Sequence, residues 1–163
     1  MNARRRVLIT QCLLIVLCSC RTVAWTESSP VQFRTATAWI HQDSDSTALR
    51  VEIARSEAQH ELGLSRRAFL NEGLGMLFQF DRVRSRDEGF WMLGVQVPLD
   101  IAFIDREGLI QEVLPMDLCQ SEVPAQSCPG YFPAVEYSSA LETNQGWFER
   151  NGIDVGAVVV VGP

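Results

Sequence analysis

The alternation of apolar and polar residues beyond residue 48 predicts a chain built mainly from β-strands. Leu49, Val51 and Ile53 alternate with Arg50 and Glu52, which is the period of a half-buried strand. Short apolar runs of strand length follow at 76–80, 90–93, 99–104, 109–114, 137–141 and 157–161. The pattern predicts one small domain of the mainly β (α+β) class, either a sheet or a partly open β-barrel, with one or two short helices.

Two short segments carry helix signals instead. Ser56 precedes Gln59 by three residues, the spacing of a capping box, and Gly63 then offers a left-handed helix end. A second short helix is predicted within 144–151. His60 lies on the first helix, where we expect a solvated side chain without a chemical role.

The first twenty residues resemble an export signal. The three arginines at 4–6 precede a mostly apolar run of 11 residues, 7–17, which is too short to cross a bilayer as a helix. The segment Leu17-Cys18-Ser19-Cys20 resembles the lipobox of bacterial lipoproteins, with Cys20 as the residue that receives the lipid. A signal peptide over 1–19 is predicted, and ordinary secretion or an uncleaved membrane tether remains open.

The composition divides the rest of the chain in two. Residues 20–46 begin with the lipid-anchor cysteine and are rich in Ser, Thr, Asp and Gln, which predicts a tether, although 33–40 could add a strand at the domain edge. Residues 47–163 are predicted to form the folded domain. The protein is therefore expected in the periplasm or cell envelope, held at a membrane through its N-terminal lipid.

Charge and composition exclude several classes of function. The chain has 14 arginines and no lysine, which removes Schiff-base chemistry, pyridoxal phosphate attachment and the P-loop lysine. A formal charge of −6 argues against a nucleic-acid partner, and two histidines leave little material for a triad or a histidine-rich metal site. We expect no cofactor, no metal and a monomer.

The ordered motifs of the folded segment resemble those of the domain of unknown function 192 family, a small β-rich domain of bacteria and archaea. The resemblance runs from about residue 49 to residue 161. It is carried by Gly63-Leu64 with Arg67 and Leu70, Gly75-Met76-Leu77-Phe78, Phe90-Trp91-Met92, Pro98-Leu99-Asp100-Ile101 with Phe103 and Asp105, Leu141-Glu142, and Gly146-Trp147. The resemblance implies the fold and leaves the activity open.

Two segments depart from the family pattern. Leu93-Gly94-Val95 stands where the pattern usually has Lys-Asn-Thr, and Gly63-Leu64-Ser65 stands where it usually has Gly-Leu-Met. If the polar side chains bind or react in relatives, this protein has lost or altered that role.

A disulfide is predicted between Cys119 and Cys128. Eight residues separate them, and an exported protein lies in a compartment where disulfides persist. A redox role is disfavoured because the pair lacks Cys-x-x-Cys spacing.

The preferred functional hypothesis is a non-enzymatic module that binds an envelope ligand or protein. Its predicted groove is edged by Trp91, Gly94, Asp100 and Trp147. The other predicted binding residues are Arg67, Met76, Met92 and Glu142. Glu142 is expected to pair with Arg67, because an interior carboxylate without a cation costs several kcal/mol, and Asp100 is expected to accept hydrogen bonds from turn amides.

Two alternative hypotheses involve chemistry. Asp100 and Glu142 could form a general acid/base pair of an envelope glycan or related polymer hydrolase, if neighbouring strands bring them together. Met76, Met92 and Trp91 could handle Cu(I), because thioethers are soft ligands. Core packing is the simpler role for these methionines.

Overall fold

The computed structural model describes residues 30–119, 124 and 127–162. The predicted signal peptide over 1–19, Cys20 and the first part of the predicted tether lie outside these residues. No helix within the described ranges is long and apolar enough to cross a bilayer.

Nine strands and two short helices make up the described chain. They are β1 (Arg34–Gln42), β2 (Asp45–Ala54), α1 (Glu57–Leu62), β3 (Leu74–Arg84), β4 (Phe90–Trp91), β5 (Leu99–Ile104), β6 (Ile110–Met116), β7 (Gly130–Tyr131), β8 (Tyr137–Asn144), α2 (Trp147–Arg150) and β9 (Val158–Val161). Seven strands form one sheet in the order β6-β5-β8-β3-β2-β1-β9, and β4 pairs with β7. Only β2 and β3 run parallel among the paired strands described.

The predicted mainly β class with two short helices is confirmed. The sheet is not closed into a barrel, so the barrel form of the prediction is not supported. An isolated bridge between Leu109 and Val158 brings β9 back toward the start of β6. The sheet is therefore strongly curved but retains edges.

Strand β1 corrects the predicted boundary at residue 47. The segment assigned to a tether over 20–46 contains this nine-residue strand, which pairs with β2 on one side and β9 on the other. Ala36, Ala38 and Ile40 point into the core. The alternative that 33–40 adds a strand agrees with β1, but this strand lies between β2 and β9 and not at the sheet edge. Two of the three core residues are alanines, so the hydrophobic signal of this strand is weak.

The central strands are covered on both faces, which divides the interior into two cores. The α2-side core includes Leu49, Val51, Leu141 and Phe148. The pocket-side core includes Met76, Phe78, Met92, Ile101, Phe103 and Tyr137. All six residues of β5 are buried, because alternate side chains enter opposite cores.

Helix α1 has the ends that its sequence predicts. Ser56 Oγ accepts a hydrogen bond from Gln59 N, and Gln59 Oε1 accepts one from Ser56 N, which completes the capping box. Gly63 ends the helix with φ of 47°, a conformation that favours glycine. This end directs the following segment over the pocket-side core.

The predicted disulfide is confirmed: Cys119 and Cys128 are bonded, with Cα atoms 5.3 Å apart. The bond closes the loop between β6 and β7.

The double variant C119S/C128S is expected to lose about 2 to 3 kcal/mol of unfolding free energy, because the unfolded chain regains the entropy of a ten-residue loop. Urea denaturation with and without reductant measures this. Reductant should destabilise the parent protein to the level of the double variant, and equal stability of all three samples would contradict the assignment.

Candidate functional site

The strand register places the two candidate carboxylates on opposite faces of the sheet. Glu142 of β8 lies directly opposite Ile101 of β5, whereas Asp100 of β5 lies opposite Thr143. Directly paired residues share a face and successive residues alternate. Glu142 therefore enters the pocket-side core, and Asp100 points toward α2.

Asp100 has a structural role on the α2 side. Its side chain is buried, and its Oδ2 accepts a hydrogen bond of 2.7 Å from Gly146 N at the turn before α2. Burial raises the pKa of Asp100, while the hydrogen bond from Gly146 opposes that shift. The expectation that Asp100 accepts from a turn amide agrees with this geometry. The acid/base pair with Glu142 does not form, because the sheet separates the two carboxyl groups.

Arg67 does not pair with Glu142. Its guanidinium lies 2.5 Å from Glu52 Oε2, with both side chains about 30% exposed, and its Cζ lies 5.9 Å from the centre of the Phe33 ring. Glu52 and Glu142 occupy the same face, one on each side of Met76. The predicted partner of Arg67 was therefore wrong. The strand register places Glu52 and Glu142 in one row of the sheet, and Arg67 pairs with Glu52.

Glu142 lies at a small pocket, without a protein partner for its carboxyl group. The residue is 5% exposed, and no described residue forms a salt bridge or a side-chain hydrogen bond with it. The pocket has a volume of about 120 Å³. Its lining includes the segment after α1 (residues 63–65), Phe78 and Phe80 of β3, and Phe90 and Trp91 of β4.

This environment favours the uncharged form of the carboxyl group. Desolvation by burial raises the pKa of Glu142 to about 8. A carboxylic acid near neutral pH keeps its proton there and has an O–H group to donate. The pocket thus presents a hydrogen-bond donor within apolar walls.

The aromatic walls support one another. Phe90 packs edge-on against Phe78, with ring centres 5.1 Å apart, and against Phe103 at 5.9 Å. The His60 ring lies 4.7 Å from that of Phe80, and its Nε2 lies 3.1 Å from the Ala54 carbonyl oxygen. His60 is half-buried and lines the pocket, so the expectation of a solvated surface histidine was wrong.

A charged residue, Arg84, lies at the rim of the pocket beside an acidic residue. Arg84 lies with its Cζ 4.7 Å from the Phe80 ring centre and its Nε 3.2 Å from Glu88 Oε1. Glu88 also accepts hydrogen bonds from Arg82 and Ser85, which lower its pKa to about 2. Arg84 is therefore ion-paired with Glu88 and not with Glu142, although its buried Nε makes no hydrogen bond to a described residue.

The remaining predicted residues do not form one groove. Trp91 is 62% exposed and lines the pocket, and Gly94 stands in a turn with φ of 74°, its carbonyl accepting from Arg66 N at 2.9 Å. Trp147 is buried in the α2-side core with Phe148. The predicted groove edge is thus divided between two faces, with Trp91 and Gly94 on one and Asp100 and Trp147 on the other.

Met76 and Met92 are fully buried in the pocket-side core, whereas Trp91 turns toward solvent. This placement fits core packing, which was the simpler role for both methionines. The described residues include no group of three or more His, Cys, Asp or Glu side chains placed to hold a metal ion.

Both segments that depart from the family pattern lie at this pocket. Leu64 and Ser65 line it from one side, and Leu93 and Val95 line it from the other. The backbone bond between Arg66 and Gly94 joins the two segments. Ser65, Leu93 and Val95, at which the sequence differs from the expected pattern, therefore form part of the pocket wall.

Comparison with known proteins confirms the family resemblance. The family model described as DUF192: Uncharacterized ACR, COG1430 matches residues 38–161. A solved structure from Sinorhizobium meliloti 1021, described as a "putative transcription regulator", is 26% identical, with a TM-score of 0.71 over 81% of this chain and 97% of that chain. A protein of unknown function from Novosphingobium aromaticivorans DSM 12444 is 26% identical, with a TM-score of 0.64 over 82% of this chain and 89% of that chain. No curated protein matches the sequence.

The raised pKa of Glu142 predicts a loss of stability with rising pH. Below about pH 4.5 the folded and unfolded chains both hold the proton. Between about 4.5 and 8 only the folded chain keeps it, so the stability contribution is lost across this window, by an amount on the order of 5 kcal/mol. The variant E142Q lacks this dependence, which urea denaturation at pH 5 and pH 8 measures.

The comparison of the parent protein with E142Q also controls for other acidic residues. Asp100 is present in both proteins, so its contribution cancels in the comparison. Glu88 has a lowered pKa, so its contribution is lost only as the pH falls below about 4.5, outside the window. Parallel pH profiles for the parent protein and E142Q would show that Glu142 is ionised in the folded state.

Proposed function

Because this chain belongs to the DUF192 family of uncharacterized proteins, we propose its function from its own pocket: a non-enzymatic module of the cell envelope that binds a small, mainly apolar ligand. One observation carries the proposal. The buried carboxyl group of Glu142 faces an aromatic pocket and has no partner in the described protein. Neither carboxyl oxygen of Glu142 is among the fully buried polar atoms that lack a partner in the described residues, so the group meets the pocket space, where a ligand can replace solvent as its hydrogen-bond partner.

The size of the pocket limits the part of a ligand that it can enclose. A volume of about 120 Å³ is somewhat below that of an engineered apolar cavity of about 150 Å³ that binds benzene. One six-membered ring or a short branched chain fills such a space. The mouth beside exposed Trp91 lets further atoms extend into solvent.

The separation of the carboxylates supports binding over hydrolysis. A glycosidase pair must flank one bond, with carboxyl groups about 5 to 9.5 Å apart in a shared cleft. Asp100 and Glu142 lie on opposite faces of the sheet, and Asp100 is already engaged with Gly146. The pocket therefore has one carboxyl group of this pair, which suits recognition of a ligand.

The envelope location rests on the sequence of the N-terminus. Lipidation at Cys20 would leave residues 21–33 between the anchor and β1, a segment that spans up to about 45 Å when extended. Removal of 1–19 takes three arginines and no acidic residue, so the charge becomes 11 − 20 = −9. Anionic headgroups repel such a domain, and attachment would depend on the lipid.

Mass spectrometry of the N-terminal peptide, from protein expressed in a bacterial host with lipoprotein processing, tests this location. The expected result is a peptide that begins at Cys20 and carries the mass of attached acyl chains. The variant C20S should remain unlipidated, and C119S serves as the matched cysteine control that keeps its lipid. An N-terminus at any other residue, or an unmodified Cys20, would contradict lipid anchoring.

Toluene tests the pocket, because its ring matches the volume. Titration into ¹⁵N-labelled protein should produce saturable shifts at residues 63–65 and at the Trp91 indole. W91A should weaken binding several-fold by removing one wall. W39A is the matched control, since Trp39 is 45% exposed on β1 and does not line the pocket. Binding that is absent, or equally weakened by both variants, would contradict the proposal.

A further inference from the structure

We propose that the ligand is an uncharged molecule that places a carbonyl-type oxygen against the Glu142 carboxyl group, which donates the hydrogen bond, while a planar ring lies among the aromatic walls. This inference rests on the proposed function and names the class of ligand for the same pocket. Ketones, aldehydes, esters and amides attached to a ring share the required acceptor.

The direction of the hydrogen bond follows from the surroundings of Glu142. The neighbours of Glu142 within its own row of the sheet are Ile101 and Met76, both fully buried. The nearest acidic group in that row, Glu52, is paired with Arg67. No cation in the described part of the chain stabilises the carboxylate, so the site favours the neutral acid. The O–H group of that acid is then the donor that lacks a partner among the described residues.

The charged groups that line the pocket do not supply a counter-ion. Besides Glu142, the ionisable residues of the lining are His60 and Glu61 on α1 and Arg84 on β3. His60 Nε2 lies 3.1 Å from the Ala54 carbonyl oxygen, and Arg84 lies beside Glu88, although its Nε has no hydrogen-bond partner among the described residues. An anionic ligand would have to share Arg84 with Glu88 and would lose its hydration, whereas a neutral acceptor avoids this cost.

The walls select the shape of the group beside the acceptor. Phe78, Phe80 and Phe90 hold edge-on contacts with one another or with Tyr137, which fixes their orientations. Trp91 adds an exposed aromatic surface at the mouth. A flat ring makes stacking or edge contacts with these faces, whereas a flexible chain of the same volume loses more conformational entropy on binding.

A matched pair of probes tests the inference. Acetophenone and α-methylstyrene have nearly the same shape, but only the ketone carries an acceptor oxygen. NMR titration of the full-length ¹⁵N-labelled protein at pH 6 should give about tenfold tighter binding of acetophenone, since one hydrogen bond is worth about 1.4 kcal/mol. E142Q keeps an N–H donor and should retain most of this preference, whereas the isosteric apolar variant E142M should bind both probes equally.

The pH dependence gives a second readout. The preference for acetophenone should fall as the pH rises above about 8 in the parent protein, because the carboxylate cannot donate. E142Q should show no such fall. His60 is present in both proteins, so any contribution from it cancels in the comparison.

The outcomes separate the inference from the proposed function. Equal binding of the two probes to the parent protein would overturn the inference while leaving an apolar pocket that binds rings. Binding of neither probe would overturn both. Tighter binding of 1-phenylethylamine, a cation of similar shape, would show that Glu142 acts as a carboxylate and would overturn the donor role. The probe comparison on the parent protein decides the matter even if E142M does not fold.

Discussion

The side chains of a strand point alternately to the two faces of the sheet, and both faces of the central strands are buried in this protein. This alternation determines which acidic side chains share a site. On β5, and on β8 from Ala140 to Glu142, successive side chains alternate between the two faces of the sheet, so neighbouring positions in the sequence have unrelated surroundings. Asp100 and Glu142 lie on adjacent strands, one register position apart. The first caps a turn on the α2 side, and the second faces an aromatic pocket on the other side.

The pocket exists because the segments that cover this face contribute small or branched residues between two sets of rings. Helix α1 ends at Gly63, and the segment that follows joins Gly94 through one backbone hydrogen bond. These two segments lie over β3 and β4, whose phenylalanines are held by edge-on contacts. The space that remains is bounded by Glu142, which is desolvated by the same packing that forms the walls. The packing that forms the pocket-side core therefore also raises the pKa of Glu142.

Much of the fold follows from local sequence signals. The β5 residues form one buried run, and Ser56 with Gln59 and Gly63 defines α1 completely. Strand β1 was harder to predict, because alanines at 36 and 38 provide buried positions with little hydrophobic signal. The two-residue strands β4 and β7 depend on each other and not on local propensity.

The candidate site was predictable only in part, because its decisive features are register and pairing. Glu142 and Trp91 are recognisable as an acid in an apolar run and an aromatic beside a glycine turn. The assignment of Arg67 to Glu52 depends on which row of the sheet each carboxylate joins, and that row depends on the pairing of β2 with β3. The contact between Phe80 and His60 joins two separate elements, so no local sequence pattern predicts it. The most direct test of the account is a ¹³C NMR titration of the Glu142 side-chain carboxyl, assigned by its absence in E142Q. The account predicts a midpoint near pH 8, and a midpoint near 4.5, as for an exposed glutamate, would contradict it.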